Sequence, residues 1–325
     1  MPNVPEEDAL PDDRRTIAMV GEFGLIDQVT RDRVQPATTV LGPGDDAAVV
    51  AASDGRVVAT TDVLVADVHF RLDWSTPEQV GRKAAAANLA DVAAMGAVPT
   101  ALLVGLAAPP DTPVATLTGL ADGLWAEASA VGAGLVGGDV VTSATLTLAV
   151  TALGSLEGRP PVTRAGARPG DVVALAGRVG WAAAGFAVLQ RGFRSPGAVV
   201  AAHRVPEPPY AAGPAAAAAG ATAMIDVSDG LLADLGHVAS ASGVVIDLRR
   251  PEVPQKLVEV GAALGVDPVS FVLTGGEDHA LAATFPPDAE LPTGFVPIGE
   301  VRAGDAAVLI EGEPYDGDPG WTHFA

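Results

Sequence analysis

The stretch "AMIDVSDGLLADLGH", residues 223 to 237, places the strongest constraint on how this chain can fold. It opens as an apolar run, sets Asp226, Asp229 and Asp234 within nine positions, and continues with helical apolar spacing. A strand end or helix start needs one such carboxylate at most, as a cap. Several carboxylates at an apolar boundary repel each other unless a cation neutralises them.

The same pattern recurs along the chain. Asp45 and Asp46 follow the turn Gly42-Pro43-Gly44, and Asp62 is read as ending a strand rich in Val and Thr. Asp91 falls on a helix beside Asn88, and Asp139 follows Gly137-Gly138. Each lies among small or apolar residues, whereas a solvated acidic face mixes Lys, Gln and Glu among its aspartates. Singly, each has an ordinary reading: Asp229 as a helix N-cap, Asp45 in an Asx turn, Asn88 and Asp91 satisfying local backbone. His69 alone reads as structural and Trp321 as an amphipathic aromatic near a terminus. Jointly, the aspartates form a set of hard oxygen donors. Mg²⁺ takes one or two carboxylates together with waters and substrate phosphates. Phosphoryl transfer depends mainly on positioning and on neutralising phosphate charge.

Composition removes several alternatives. Forty acidic residues against nineteen basic leave a net charge of −21, and with no Lys/Arg run a nucleic-acid backbone would be repelled. Lys83 and Lys256 are the only lysines, so phosphate gripping falls to arginine or metal. The absence of cysteine excludes disulfides, zinc-thiolate sites and thiol nucleophiles. The start "MPNVPEEDALPDDRR" is unlike a signal peptide. The apolar stretches "GAVPTALLVGLAAPP" and "AAGPAAAAAGATAMI" are too short and too broken by Gly and Pro to span a bilayer. A soluble, cytoplasmic protein is expected. No Walker G-x-x-x-x-G-K-[ST] or kinase H-R-D loop occurs. "GRVGWAAAG" misses the dinucleotide fingerprint and "TVLGPGDD" misses the EF-hand pattern.

A length of 325 residues fits two domains. The aperiodic "EGRPPVTRAGARPGD" places their boundary, giving domains over residues 1–156 and 157–325. "GEFGLIDQVT" reads as a short helix, and "GRVVATTDVLVADVHF" as two extended pieces around Thr60-Thr61-Asp62. Thr76-Pro77-Glu78-Gln79 forms a capping box opening a helix that stops at Gly96. "TALLVGLAAP" reads as a buried strand, "TPVATLTGLADGLWAEASAVG" as a helix, and "GLVGGDVVTSATLTLAVTALGSL" as a Gly-rich turn followed by a long strand. In the second half, "DVVALAG", "GVVIDL" and "ALAATF" are strands, "WAAAGFAVLQRG" is a helix, and "FVLTGGEDH" is a Gly-hinged turn. Helices follow strands, yet long strands also adjoin in sequence, which favours α+β over a doubly wound sheet.

In this order, "GEFGLI", "GPGDDAAVV", "TTDVLVADVHF", "NLADVAAMGA", "GGDVV", "TRAGARPGD", "IDVSDGLLADLGH", "TGGEDHAL" and "GWTHFA" resemble the thiamine-monophosphate kinases from about residue 21 to the end. That family belongs to a wider group with aminoimidazole ribonucleotide synthetase, selenophosphate synthetase and a hydrogenase maturation protein. The resemblance implies an N-terminal sheet-plus-helices domain that dimerises and binds ATP and Mg²⁺, a C-terminal α/β-like domain, and ATP between them. It implies a homodimer that uses ATP, thiamine monophosphate and several Mg²⁺ ions in the last step of thiamine diphosphate biosynthesis. By the same resemblance Asp46, Thr60, Thr61, Asp62, Asp91, Asp139, Asp226 and Asp229 are magnesium positions. Gly138, Arg164 and Ser228 are ATP contacts, and His69, Glu277 and Trp321 lie on the thiamine side. Around "HRVPEPPY" the family often has an arginine after the second proline, where this chain has Pro209 and Tyr210. The acceptor, a phosphate monoester with a second pKa of about 6, is mostly dianionic at neutral pH, so no general base is expected. The rival of a different class is a non-catalytic nucleotide- or Mg²⁺-binding regulator. Selenophosphate synthetases and the hydrogenase maturation protein typically use a cysteine or selenocysteine, and this chain has none.

Overall fold

The computed structural model describes residues 15–43 and 47–321, apart from the side chains of Glu22 and Phe23. Asp45 and Asp46 therefore lie outside the described residues. The chain divides into two compact units. One comprises the described residues up to Ala52 with Ala59–Asn88 and Pro99–Gly154; the other comprises Ser53–Val58, Leu89–Val98 and the chain from Ser155 onward.

In chain order the first half carries α1 (Ile17–Thr30), β1 (Thr39–Leu41), β2 (Val49–Val50), β3 (Val58–Val65), α2 (Pro77–Ala94), β4 (Val98–Ala108), α3 (Val114–Ala130), β5 (Gly134–Thr142) and β6 (Thr147–Ser155). Among the described residues four strands form one sheet in the order β3-β6-β4-β5, and β1 pairs with β2. Local chemistry sets the start of α2: Gln79 N–H donates to Thr76 Oγ1 at 3.3 Å, and Thr76 N–H donates to Gln79 Oε1 at 3.0 Å. This is the capping box expected from the sequence. Past the helix end, Gly96 takes φ +73, a left-handed position that favours glycine. The helices α2 and α3 meet backbone to backbone. A Cβ on Gly81 would lie 2.0 Å from Leu120 O, and one on Gly123 would lie 2.0 Å from Glu78 O.

Two expectations are corrected here. Thr60-Thr61-Asp62 does not separate two extended pieces; all three lie inside the single strand β3, so Asp62 is not at a strand end. Gly137-Gly138 is not a turn but the middle of β5, paired in parallel with β4. The reason for glycine there is contact, since a Cβ on Gly138 would stand 2.0 Å from Val104 O.

The second half carries β7 (Val172–Ala176), α4 (Trp181–Gln190), α5 (Gly197–Arg204), α6 (Ala212–Ala218), β8 (Ala223–Val227), α7 (Leu231–Ser242), β9 (Val245–Leu248), α8 (Gln255–Leu264), α9 (Pro268–Thr274), β10 (Ala280–Phe285), β11 (Phe295–Arg302), β12 (Ala307–Ile310) and β13 (Glu313–Pro314). Seven strands make a sheet in the order β13-β12-β9-β11-β7-β10-β8. Every pairing is antiparallel except the parallel β12–β9. The α+β class holds. The core is small-residue packing around large anchors: Ala174, Ala176, Met224, Leu281 and Ala283 surround Phe285, with Ala93 and Ala94 of α2 in the same cluster. Phe285 meets Phe295 edge-on at 5.3 Å, worth about 0.5–1.5 kcal/mol beyond area burial.

This unit also buries carboxylates, and each needs an answer. Asp171 accepts from Arg168 N–H at 2.9 Å and from Thr222 Oγ1 at 2.6 Å. Asp247 accepts from Gly312 N–H at 2.9 Å and pairs with Arg302. Asp278, just before β10, accepts Ala182 N–H in the first turn of α4 at 3.0 Å. Its Oδ2 is buried without a hydrogen-bond partner among the described residues. Burial pushes this carboxyl up to about 7, against the pull of the Ala182 N–H and of Arg178.

The raised pKa of Asp278 gives a pH prediction. Its ordinary value is 3.8, so between about pH 4 and 7 the folded chain binds a proton that the unfolded chain has released. The contribution of Asp278 therefore favours folding below about pH 4 and is lost as pH rises to about 7. Urea unfolding of wild type and Asp278→Asn, both in EDTA, should show the variant gaining relative stability from pH 5 to 8. Parallel profiles would mean that the carboxyl stays charged in the fold.

Candidate functional site

In the first unit, Asp62 occupies the middle of β3, where side chains alternate between faces. Thr60 and Asp62 share one face with the buried Leu64, and Thr61 lies on the other. The Asp62 N–H donates to Asn88 Oδ1 at 3.0 Å. Asn88 is fully buried on α2, and its Nδ2 donates to Ala84 O at 3.0 Å. Asn88 is thus a brace for the strand that carries Asp62. Thr61 Oγ1 donates to Val150 O and accepts from Thr151 Oγ1, both at 3.0 Å, so its hydroxyl serves the β3–β6 pairing. Gly138 and Asp139 lie on β5, and Asp139 Oδ1 accepts the N–H of Val140 at 2.9 Å. Asp62 and Asp139 lie on β3 and β5, the opposite edges of the four-stranded sheet, so three strand spacings, about 14 Å, separate their strands. The sheet does not bring them together. His69 turns back on its own strand end, its Nδ1 accepting Val65 N–H at 3.0 Å.

In the second unit the predicted residues do converge, around the turn after β8. Asp226 is buried on that strand, and its Oδ2 lies 3.0 Å from Nδ1 of the buried His279. Burial opposes protonation of His279, yet Asp226 as hydrogen-bond partner and then the charges of Asp226, Asp91 and Glu277 hold its pKa above the usual value. The same residue thus senses Asp91 on α2, Asp226 on β8 and Glu277 in the glycine-hinged loop. Asp229 does not cap α7; the N-cap is Gly230, and no side chain bonds there as a cap. The N–H groups just before the helix are taken instead by Asp234, in the first turn of α7. Its Oδ2 accepts the N–H groups of Ser228, Asp229 and Gly230 at 3.0, 3.0 and 3.2 Å. Burial first, then the charges of Asp226 and Asp229, push Asp234 up to about 7 despite those donors.

The carbonyls of this turn are also used. Val227 O accepts from His279 N–H at 2.9 Å, Ser228 O from Glu277 N–H at 2.7 Å, and Asp229 O from Trp321 N–H at 2.9 Å. Glu277 is held at φ +67, a left-handed conformation unusual outside glycine, and its Oε2 lies 3.2 Å from His203 Nδ1. Trp321 leaves 64 % of its surface exposed. Arg164 is at the other end of β8: Thr163 O accepts Met224 N–H at 3.1 Å, and the four strand residues 224 to 227, about 13 Å, lead from there to the turn. Its backbone is fixed by Ser242, whose Oγ donates to Arg164 O at 2.9 Å.

Sequence reading missed Asp234 as the organiser of the turn, His279 as the partner of Asp226, and Asp278. Only the position of Asp234 in the first turn of a helix hinted at its role. Among the described residues no three acidic or imidazole side chains stand at ligand spacing. The donor chemistry nevertheless suits a hard divalent cation: the acidic groups around this turn carry oxygen donors, and two of them raise the pKa of a third. Asp226 and Asp229, with Asp91, are the residues there that would hold Mg²⁺.

Comparison with known proteins identifies the family. The family model "AIR synthase related protein, N-terminal domain" matches residues 44–156, and its C-terminal counterpart matches residues 168–291. The thiamine-monophosphate kinase of Mycobacterium tuberculosis is 52% identical over 322 residues, covering 98% of this chain and 96% of that protein. That of Corynebacterium glutamicum is 43% identical over 334 residues, covering 97% and 98%. A solved structure of AaThiL complexed with AMPPCP and TMP superposes with a TM-score of 0.78 at 30% identity, covering 94% of this chain and 97% of that one. With two AIR synthase related domains and full-length kinase relatives at this identity, the chain belongs to the thiamine-monophosphate kinase family.

Proposed function

We propose that this protein transfers the γ-phosphoryl group of ATP directly to the phosphate of thiamine monophosphate, giving ADP and thiamine diphosphate. The observation that carries the proposal is the turn after β8. There, the charges of Asp226 and Asp229 help to raise the pKa of Asp234, and the turn is bonded through its backbone to Glu277 and Trp321. The relatives' activity and the AMPPCP and TMP of the AaThiL complex support the same reading.

In this scheme Asp62, Asp91, Asp139, Asp226 and Asp229 hold Mg²⁺, with Thr60 and Thr61 beside Asp62 on β3 and Asp46 as a further ligand. Bound Mg²⁺ would neutralise and align the two phosphate groups, whose repulsion is the main obstacle to reaction. Gly138, Arg164 and Ser228 contact ATP. His69, Glu277 and Trp321 receive thiamine. A bond forms between an acceptor phosphate oxygen and the γ-phosphorus while the β,γ-bridging bond breaks and ADP leaves with the electron pair. The acceptor has already lost its second proton above about pH 6, so no residue of the chain has to remove one. His279 holds Asp226 in place, and Asn88 holds the backbone of Asp62.

We also propose a cytoplasmic homodimer with domains 1–156 and 157–325. Exposed Val63 on β3 and Val141 on β5 support an association through the four-stranded sheet. Among the described residues no single helix is long and apolar enough to cross a bilayer.

The direct test measures ADP and thiamine diphosphate from ATP with and without thiamine monophosphate, alongside other phosphate monoesters. Acceptor-dependent ADP release with stoichiometric thiamine diphosphate is expected. Nucleotide binding without turnover on any acceptor would make the protein a regulator on this scaffold. In the same assay Asp62→Asn, Asp91→Asn and Asp226→Asn should each lower turnover by at least about 100-fold while leaving the fold intact. Wild-type rates with unchanged Mg²⁺ dependence in all three would remove these residues from metal binding.

Specificity gives a second prediction. A cationic thiazolium against an indole face is worth roughly 0.5–2 kcal/mol. Trp321→Ala should raise the KM for thiamine monophosphate several-fold to tens-fold and leave that for ATP nearly unchanged. Trp321→Leu should not restore it, because Leu fills space without a π face. Equal KM values in all three proteins would show that the exposed indole has no part in recognition.

A further inference from the structure

The turn after β8 is gripped from both sides of its peptide groups. Inward, the N–H groups of Ser228, Asp229 and Gly230 all point at one oxygen of Asp234. Outward, the carbonyls of Val227, Ser228 and Asp229 accept from the N–H groups of His279, Glu277 and Trp321, respectively. Three consecutive carbonyls thus carry three residues from two distant segments. A Cβ on Gly276 would lie 2.2 Å from Ser228 O, and one on Gly320 would lie 2.4 Å from Asp229 O. Both segments therefore reach the turn through glycine, backbone against backbone, with no room for a side chain between them.

We propose that Asp234 is a positioning residue for both substrates, fixing the turn that carries the nucleotide and metal residues and, through its carbonyls, the two residues that receive thiamine. This rests on the functional reading above. Peptide planes make the coupling direct. The Ser228 carbonyl that receives Glu277 and the Asp229 N–H that binds Asp234 belong to one rigid peptide group. The same holds for Val227 O with Ser228 N–H, and for Asp229 O with Gly230 N–H. Rotating any of these planes away from Asp234 swings its carbonyl away from the thiamine-side partner. The consequence separates Asp234 from its neighbours. Loss of Trp321 should affect one substrate, whereas loss of the Asp234 acceptor should affect two.

The test compares wild type, Asp234→Ala and Asp234→Asn in the full-length protein. Asn keeps an oxygen that accepts all three N–H groups, so it should retain both KM values near wild type. Ala removes the acceptor and should raise the KM for ATP and for thiamine monophosphate together by about 10- to 100-fold, the range for removing a partner that orients a ligand. A second measurement needs no variant. In wild type, AMPPCP with Mg²⁺ and no thiamine monophosphate should slow hydrogen exchange at the amides of Glu277, His279 and Trp321. Unchanged exchange there on nucleotide binding overturns the coupling. So does an Ala variant that shifts only one KM, or that lowers Tm with both KM values intact. A wild-type protein without kinase activity defeats the functional reading instead, and the exchange measurement still reports on the coupling.

Discussion

Taking a carboxylate out of water is costly unless donors or cations replace the lost hydration, and the second unit of this protein is organised by that requirement. Asp171, Asp226, Asp234, Asp247 and Asp278 are all buried in it. Asp171 is answered by a backbone N–H and a threonine hydroxyl, Asp247 by an arginine and a backbone N–H, and Asp278 by one N–H at the start of α4. Asp247 ties the loop at Gly312 to β9, and Asp278 ties the segment before β10 to the start of α4. Asp234 is answered by three consecutive N–H groups, and Asp226 by a buried imidazole. Asp234 also faces the charges of Asp226 and Asp229, an excess of the kind that the proposed metal site would use.

A single turn then collects the chemistry. Its N–H groups are spent on Asp234, its carbonyls hold Glu277 and Trp321, and its own side chains include Ser228 and Asp229. Rigid peptide groups link these roles, so neither half of the proposed site can be built without the other. In the first unit the design is different. There Asp62 and Asp139 are set on edge strands of a sheet, one braced by Asn88 and the other permitted by a glycine that lets two backbones approach.

What could be read from the sequence divides along the range of the interactions. The capping box at Thr76 and Gln79 and the stop at Gly96 are local, and they stand where the residue types placed them. Apolar runs located most strands. The pair Gly137-Gly138 misled, because a glycine pair reads locally as a turn while the actual demand comes from Val104 on the next strand. The position of Asp62 inside β3 is not a local signal either, since its support, Asn88, is 26 residues away. The three bonds to Asp234 and the pairing of Asp226 with His279 could not be read from spacing, since they depend on loop geometry and on the β8–β10 register. The family itself was legible, because its motifs carry residue types in an order that periodicity alone does not constrain.

Under the proposed function, the crowded aspartates would hold more than one divalent cation against two phosphates. Counting bound Mn²⁺ in place of Mg²⁺, by the loss of the free-ion electron paramagnetic resonance signal, tests it most directly. The protein would be saturated with AMPPCP and thiamine monophosphate. At least two tightly held ions per chain are expected, above the one that a nucleotide commonly carries, with a lower count in Asp226→Asn. A count of one, unchanged by that substitution, would contradict it.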